Sequence, residues 1–222
     1  TPNNLPHELS SFVGRDQELA RIESTLVEHR LVTVTGVGGG GKSRLALRAG
    51  ERMLAEFSHG VWLVEFAPIT DPALVPAAVA KVLQVPDAAG RSVTDEIARR
   101  LGGQRILLLF DNCEHLIDAI ARLVGQILAA TPETRVLATS REALGVGGEI
   151  VLALPPLQLP EPGTSAPFDS LAACEAIELF RRRAVQVTPA FGLNAENAPL
   201  VAEICRRLDA LPLAIELAAA RL

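Results

Sequence analysis

Lysine is nearly missing from this chain, which holds only Lys42 and Lys81 and otherwise draws its positive charge from arginine. Acidic residues outnumber basic ones, 26 against 21, for a net charge of −5. Proteins that grip nucleic acid do so largely by neutralising phosphates, so this balance excludes an electrostatic footprint for direct nucleic-acid binding by this segment. Aromatic residues are also sparse, at 4%, which removes the stacking platforms that single-strand binding uses. Cysteine is scarce: Cys113, Cys174 and Cys205 are odd in number, far apart and without a CxxC pair. That pattern argues against a disulfide framework and against zinc, leaving buried, inert thiols as the expectation. Long apolar runs are absent too, since stretches such as 106–110 end after five or six residues where a membrane helix needs roughly 20. The opening Thr1-Pro2-Asn3-Asn4-Leu5-Pro6 has no basic, apolar leader, so a cytoplasmic location is expected. His7, His29, His59 and His115 show no metal-ligand spacing and read as surface or packing residues.

What is present is a large apolar fraction, 49% of 222 residues, ample for a buried core. Residues 1–11 carry two prolines and no periodicity, and read as a linker or arm. Leu19, Ile22 and Leu26 then recur at helical spacing within 15–29. Four short runs of branched aliphatic residues follow at 31–35, 61–66, 106–110 and 136–139, with a fifth strand expected at 150–154. Helical segments lie between them, clearest at 114–130, where Ile117, Ile120, Val124, Ile127 and Leu128 share a face. Alternating strands and helices predict an α/β fold with a mostly parallel five-stranded sheet. Five prolines between Pro155 and Pro167 mark a boundary. Beyond it, helices are expected over 171–187, 195–208 and 213–222. The expected organisation is thus an arm (1–11), a nucleotide-binding domain (12–155), a proline-rich connector (156–168) and a small all-helical lid subdomain (169–222). The last helix has no stop signal, so the natural protein is expected to continue past Leu222.

Gly36-Val37-Gly38-Gly39-Gly40-Gly41-Lys42-Ser43 fits GxxxxGK[ST] directly after one predicted strand and before one predicted helix. Glycines let such a loop turn its N–H groups inward and let phosphate oxygens approach closely, and the helix start adds partial positive charge. Lys42 would reach the β- and γ-phosphates, and the Ser43 hydroxyl would ligate Mg²⁺. Arg44, next in the chain, counts with the loop as a contact. The strand over 106–110 ends in Asp111, placed to help hold the Mg²⁺. Asn112 stands where many such ATPases carry a second acid, so Glu114 is the nearest carboxylate able to polarise a water; an equally good reading is a first-turn residue favoured by the helix dipole.

Five segments taken in order resemble the STAND class of signal-transducing P-loop ATPases. They are Phe12-Val13-Gly14-Arg15-Asp16-Gln17-Glu18, the glycine loop, the stretch from Leu108 to Leu116, Thr139-Ser140-Arg141-Glu142, and Leu208-Asp209-Ala210-Leu211-Pro212-Leu213-Ala214. The resemblance extends to NB-ARC-related switch proteins and to the bacterial branch found in LuxR-type and related transcriptional regulators. It implies that Val13 and Arg15 contact the adenine, that Arg141 senses the γ-phosphate, and that Pro212 is the lid proline packed on the nucleotide. A guanidinium suits the sensing role because it offers fixed, charge-assisted donors. Two departures stand out: Gly40 replaces the usual valine-like residue and Ser43 the usual threonine. Neither removes a phosphate ligand.

The expected function is an ATP/ADP-controlled switch in which ADP holds the helical subdomain closed and ATP opens it and allows self-association, with slow hydrolysis as reset. Such a switch requires different affinities of the two nucleotides for the two conformations. Effector and DNA-binding parts would lie outside this chain. The alternative is a turnover ATPase or kinase acting on a separate substrate or on nucleic acid.

Overall fold

The computed structural model describes residues 1–7, 10–86, 90–160 and 167–222; positions 161–166 of the expected connector lie outside it. Its internal contacts divide the chain into two compact units. The first comprises Thr1–Leu9, Gln17–Gly36 and Lys42–Leu154; the second comprises Ser10–Asp16, Val37–Gly41 and Pro155–Leu222.

In the first unit the aliphatic runs pair as strands β1 (Leu31–Thr35), β2 (Val61–Glu65), β3 (Leu107–Asp111), β4 (Arg135–Ser140) and β5 (Glu149–Ala153). They form one sheet in the order β2-β3-β4-β1-β5, and every pairing is parallel. α1 (Asp16–Glu28) leads into β1, and the crossovers contain α2 (Lys42–Arg52), α3 (Val75–Val82), α4 (Val93–Leu101) and α5 (Ile117–Ala130). Because side chains alternate along a strand, Leu108 and Phe110 of β3 join a core with residues of α3, α4 and α5, and Phe110 meets Phe66 edge to face at 5.2 Å. Leu109 points the other way, toward α2. A Cβ on Gly50 would lie 2.7 Å from Leu109 Cδ1, so α2 sits against β3 closely enough to require glycine there.

Two arginines close helix ends at the N-terminal edge of the sheet. Arg135 donates to Leu26 O and Val27 O in the last turn of α1, and Arg30 donates to Leu128 O and Thr131 O at the end of α5. Each puts a cation on carbonyls that have no helical partner.

The arm is not a free linker over its first residues. Asn3 bridges in parallel to Val61, Val61 N donates to Pro2 O, and the Asn4 amide pairs with Leu63 in both directions. It therefore lies along the outer edge of β2.

The second unit contains α6 (Phe168–Ala172), α7 (Glu175–Val187), α8 (Ala198–Arg207) and α9 (Pro212–Ala219). Ile177, Phe180, Val201, Cys205 and Ile215 are central to its core. The single helix expected over 171–187 is two, because Cys174 is extended (φ −73°, ψ 134°) and starts α7 afresh. The helix expected from residue 114 begins later, at Ile117, after a 3-10 turn over Cys113–His115.

Candidate functional site

Parallel strands bring their C-terminal ends to one edge of the sheet, where α/β proteins place their chemistry. Here β4 lies between β3 and β1. The residues that follow β1, end β3 and follow β4 therefore meet: Gly36 with Lys42 and Ser43, Asp111, and Arg141. Lys42 and Ser43 open α2, so they stand at a helix N-terminus, the end that carries partial positive charge. Arg44 lies in the same first turn.

Lys42 is 9% exposed and its Nζ donates to Gly36 O at 2.9 Å. Its proton affinity is lowered, first by burial; Arg141 lowers it further, while Glu114 and then Asp111 oppose the change. An incoming phosphate would add negative charge to this group and restore it.

Asp111 is fixed by Thr139, a partner that sequence alone does not reveal. Thr139 Oγ1 donates to Asp111 Oδ1 at 2.5 Å and accepts the N–H of Asn112 at 3.1 Å. Asn112 is left-handed (φ 63°, ψ 51°), a conformation asparagine tolerates better than most residues. This turn buries Cys113 and brings Glu114 back toward the site. The strand register brings the two together: Phe110 pairs with Ala138 between β3 and β4, so the next residues along are Asp111 and Thr139.

Glu114 meets Arg141 as an ion pair, Nε to Oε1 at 3.2 Å. Among the described residues its Oε2 is buried and has no hydrogen-bond partner. A buried carboxylate oxygen without a donor is costly, and it fits a water or hydrated cation at this place. Asp111, Ser43 and Glu114 supply hard oxygen donors, the set Mg²⁺ accepts when substrate phosphates complete its shell. Among the described residues no cluster of three or more His, Cys, Asp or Glu gathers around a cation position, so a metal here would rest on few protein ligands plus phosphate. His115 donates from Nε2 to the carbonyls of Phe66 (3.1 Å) and Ile69 (2.8 Å), tying the loop after β2 to the turn after β3. Burial pushes the Cys113 thiol far up and the Cys205 thiol up to about 12, so both are inert. Cys174 is half-buried, unlike the expectation for all three.

Within the second unit, Gly39 and Gly41 have φ 76° and 90°, conformations in which a side chain is strained. Gly39 O accepts the N–H of Leu213 at 3.2 Å, and Pro212 Cγ lies 3.6 Å from the position of a Cβ on Gly41. Thus the first turn of α9 rests on the glycine loop. Val13 packs against the helical core. Arg15 is buried, with Nη1 donating to Pro156 O at 3.4 Å, so any contact it makes to a base would come from its backbone or the flank of its side chain.

The sequence model of a family described as Novel STAND NTPase 1 matches residues 6–145. An uncharacterised protein of Mycobacterium tuberculosis is 43% identical over 213 residues, covering 96% of this chain and 51% of its own length. A second M. tuberculosis protein, described as a candidate HTH-type transcriptional regulator, is 44% identical over 200 residues, covering 90% of this chain and 21% of its own. The chain thus spans about half the length of the first relative and a fifth of the second. Among solved structures, a STAND protein with a tetratricopeptide repeat sensor from Pyrococcus horikoshii superposes with a TM-score of 0.60 at 15% identity, covering 95% of this chain and 30% of that one. At that identity the likeness concerns the fold.

Proposed function

This chain belongs to the Novel STAND NTPase 1 family, and on that premise we propose that it is an adenine-nucleotide-binding switch domain of a larger transcriptional regulator. The observation that carries the reading is the grouping at one sheet edge of Lys42, Ser43, a Thr139-held Asp111 and Arg141. A loop that wraps the phosphates with N–H groups, a lysine, a hydroxyl and a carboxylate is the chemistry of a Mg²⁺-nucleotide. When bound, Mg²⁺ would screen the phosphate charge; Ser43 and Asp111 would hold it. Lys42 would contribute charge-assisted hydrogen bonds to the terminal phosphates. Arg141 would read the γ-phosphate, and so separate ATP from ADP. Glu114 would orient a water for slow hydrolysis.

Exchange of ADP for ATP then changes the conformation of the chain and permits self-association. The relative described as a candidate HTH-type regulator supports a transcriptional setting, with the DNA-binding part elsewhere in the protein. Titration calorimetry with Mg·ATP and with ADP tests the binding, and light scattering of the full-length protein in each nucleotide tests the switch. Absence of heat with both ligands would refute nucleotide binding; equal scattering would refute nucleotide-controlled assembly.

A further inference from the structure

Helix α7 carries two charged residues that grip the chain at 11–15 from opposite ends. Glu175 Oε1 accepts the N–H of Arg15 at 2.7 Å, and its Oε2 accepts that of Gln158 at 3.4 Å. Gly14 and Arg15 are consecutive left-handed residues, φ 65° and 67°. A Cβ on Gly14 would run into the Glu175 carboxylate, so with glycine at 14 this side chain can lie close against the backbone. Non-glycine residues held left-handed cost of order 1 kcal/mol or more and persist only where neighbours enforce them; here the carboxylate on the Arg15 N–H does so.

At the other end, Arg183 Nη2 donates to Ser11 O at 3.2 Å. Arg183 is only 7% exposed and also pairs with Glu216 of α9, at 2.9 and 3.0 Å. Two turns of helix separate the grips, about 12 Å along the axis, close to the reach of the four residues they span. The chain of bonds does not stop there. α9 carries Glu216 and also Leu213, whose N–H is bonded to Gly39 O of the glycine loop. Residues 11–15, α7, α9 and the glycine loop all belong to the second unit. A bonded path thus runs from Ser11 through Arg183 and Glu216 to Gly39.

We propose that Glu175 and Arg183 are positioning residues of the nucleotide site, which fix residues 11–15 relative to the glycine loop so that the nucleoside and the phosphates are held in one register. The proposal rests on the reading that the loop holds nucleotide phosphates and that Val13 and Arg15 meet the base, and goes beyond it by assigning two residues of α7 to nucleoside recognition. Both act through the backbone of residues 11–15. Their loss should therefore weaken the contribution of the nucleoside and spare that of the phosphates.

Calorimetry on the whole chain with Mg²⁺ and either ADP or inorganic pyrophosphate separates the two. Glu175→Ala and Arg183→Met are expected to lower ADP affinity about tenfold or more while pyrophosphate affinity stays within about twofold of the parent. Glu175→Gln keeps an acceptor for the Arg15 N–H and should recover most of the loss. Glu175→Asp, one methylene too short to reach, is the milder variant that decides the matter if the alanine form melts early. Unchanged ADP affinity in Glu175→Asp and Arg183→Met, or an equal fall for ADP and pyrophosphate, overturns the proposal. A parent chain that binds neither ligand overturns the nucleotide reading itself, and one that binds pyrophosphate as tightly as ADP overturns the nucleoside role alone.

Discussion

Arg141 Nε stands 3.2 Å from Glu114 Oε1, so the guanidinium assigned to the γ-phosphate already has an anionic partner within the protein. Its side chain is 68% exposed and that of Glu114 19%. Ion pairs with so exposed a member contribute about 0–1 kcal/mol, a hold that a multiply charged phosphate can break. On the proposed reading Glu114 would compete with ATP for Arg141 and repel the γ-phosphate as well, whereas ADP lacks the group in contention. Glu114→Gln should raise the ratio of ATP to ADP affinity about fivefold, the equivalent of about 1 kcal/mol. Calorimetry with a slowly hydrolysed ATP analogue and with ADP measures the ratio. An unchanged value would mean that Arg141 does not exchange partners.

If Lys42 holds the phosphates as proposed, nucleotide binding should be pH-dependent on the alkaline side. Its folded-state pKa is lowered from 10.5, chiefly by burial. Below that depressed value the ammonium is present in both folded and unfolded chains; above it the folded chain loses the proton first. Phosphate affinity should therefore decline as pH rises through a value lower than that of an ordinary lysine. Stability of the ligand-free chain runs the opposite way. Between the depressed pKa and 10.5 the unfolded chain binds more protons, so stability gains with pH in this window from this group. Melting curves and ADP titrations from pH 7 to 10, each compared with Lys42→Met, isolate the two trends. Affinity that declines only where an ordinary lysine titrates would contradict the burial argument.

Thr139 should act on the metal rather than on the phosphates. Thr139→Val keeps the shape but leaves the Asn112 N–H and one Asp111 oxygen without their partner. An unsatisfied buried group costs about 2 kcal/mol, or about 6 °C in Tm for a chain of this size. Once Asp111 can rotate, the Mg²⁺ concentration that half-saturates ADP binding should rise about thirtyfold, by the same 2 kcal/mol. Thr139→Ser restores the hydroxyl and should restore both quantities. A variant that loses stability but keeps its Mg²⁺ dependence would make Thr139 structural only.

The strands and the glycine loop were legible because they depend on local pattern: aliphatic runs for a buried parallel sheet, and a spacing of glycines that only a phosphate loop needs. The partners of the site were less so. Thr139 reaches Asp111 across 28 residues, and its type alone says only that it suits a strand. Glu175 and Ser11's partner Arg183 lie 160 and 172 positions from the backbone they hold. The same contact sits where the helix expected over 171–187 divides. No glycine or proline interrupts it; the chain breaks at Cys174, and the Glu175 that opens α7 serves Arg15 and Gln158 rather than its own helix. Periodicity cannot report a helix start tied to a distant segment.

The arm along β2 carries a last consequence. β2 is an edge strand, and an edge exposes unpaired N–H and C=O groups that can pair with another chain. Asn4 covers two of them, with Nδ2 donating to Leu63 O at 2.9 Å and Oδ1 accepting Leu63 N–H at 2.6 Å. A side-chain amide presents the same donor and acceptor as a peptide, so Asn4 completes a ladder that Pro2 and Pro6 would interrupt as backbone. Asn4→Ala removes both bonds, each contributing about 0.5–1.5 kcal/mol, and should lower the melting temperature. Asn4→Asp keeps the acceptor but sets a carboxylate against Leu63 O, so it should be no better than alanine. Both variants should scatter more light as concentration rises, independently of nucleotide, because the exposed edge needs no ligand to pair. Association that instead required ATP would place the self-association surface elsewhere and leave the arm with a purely local role.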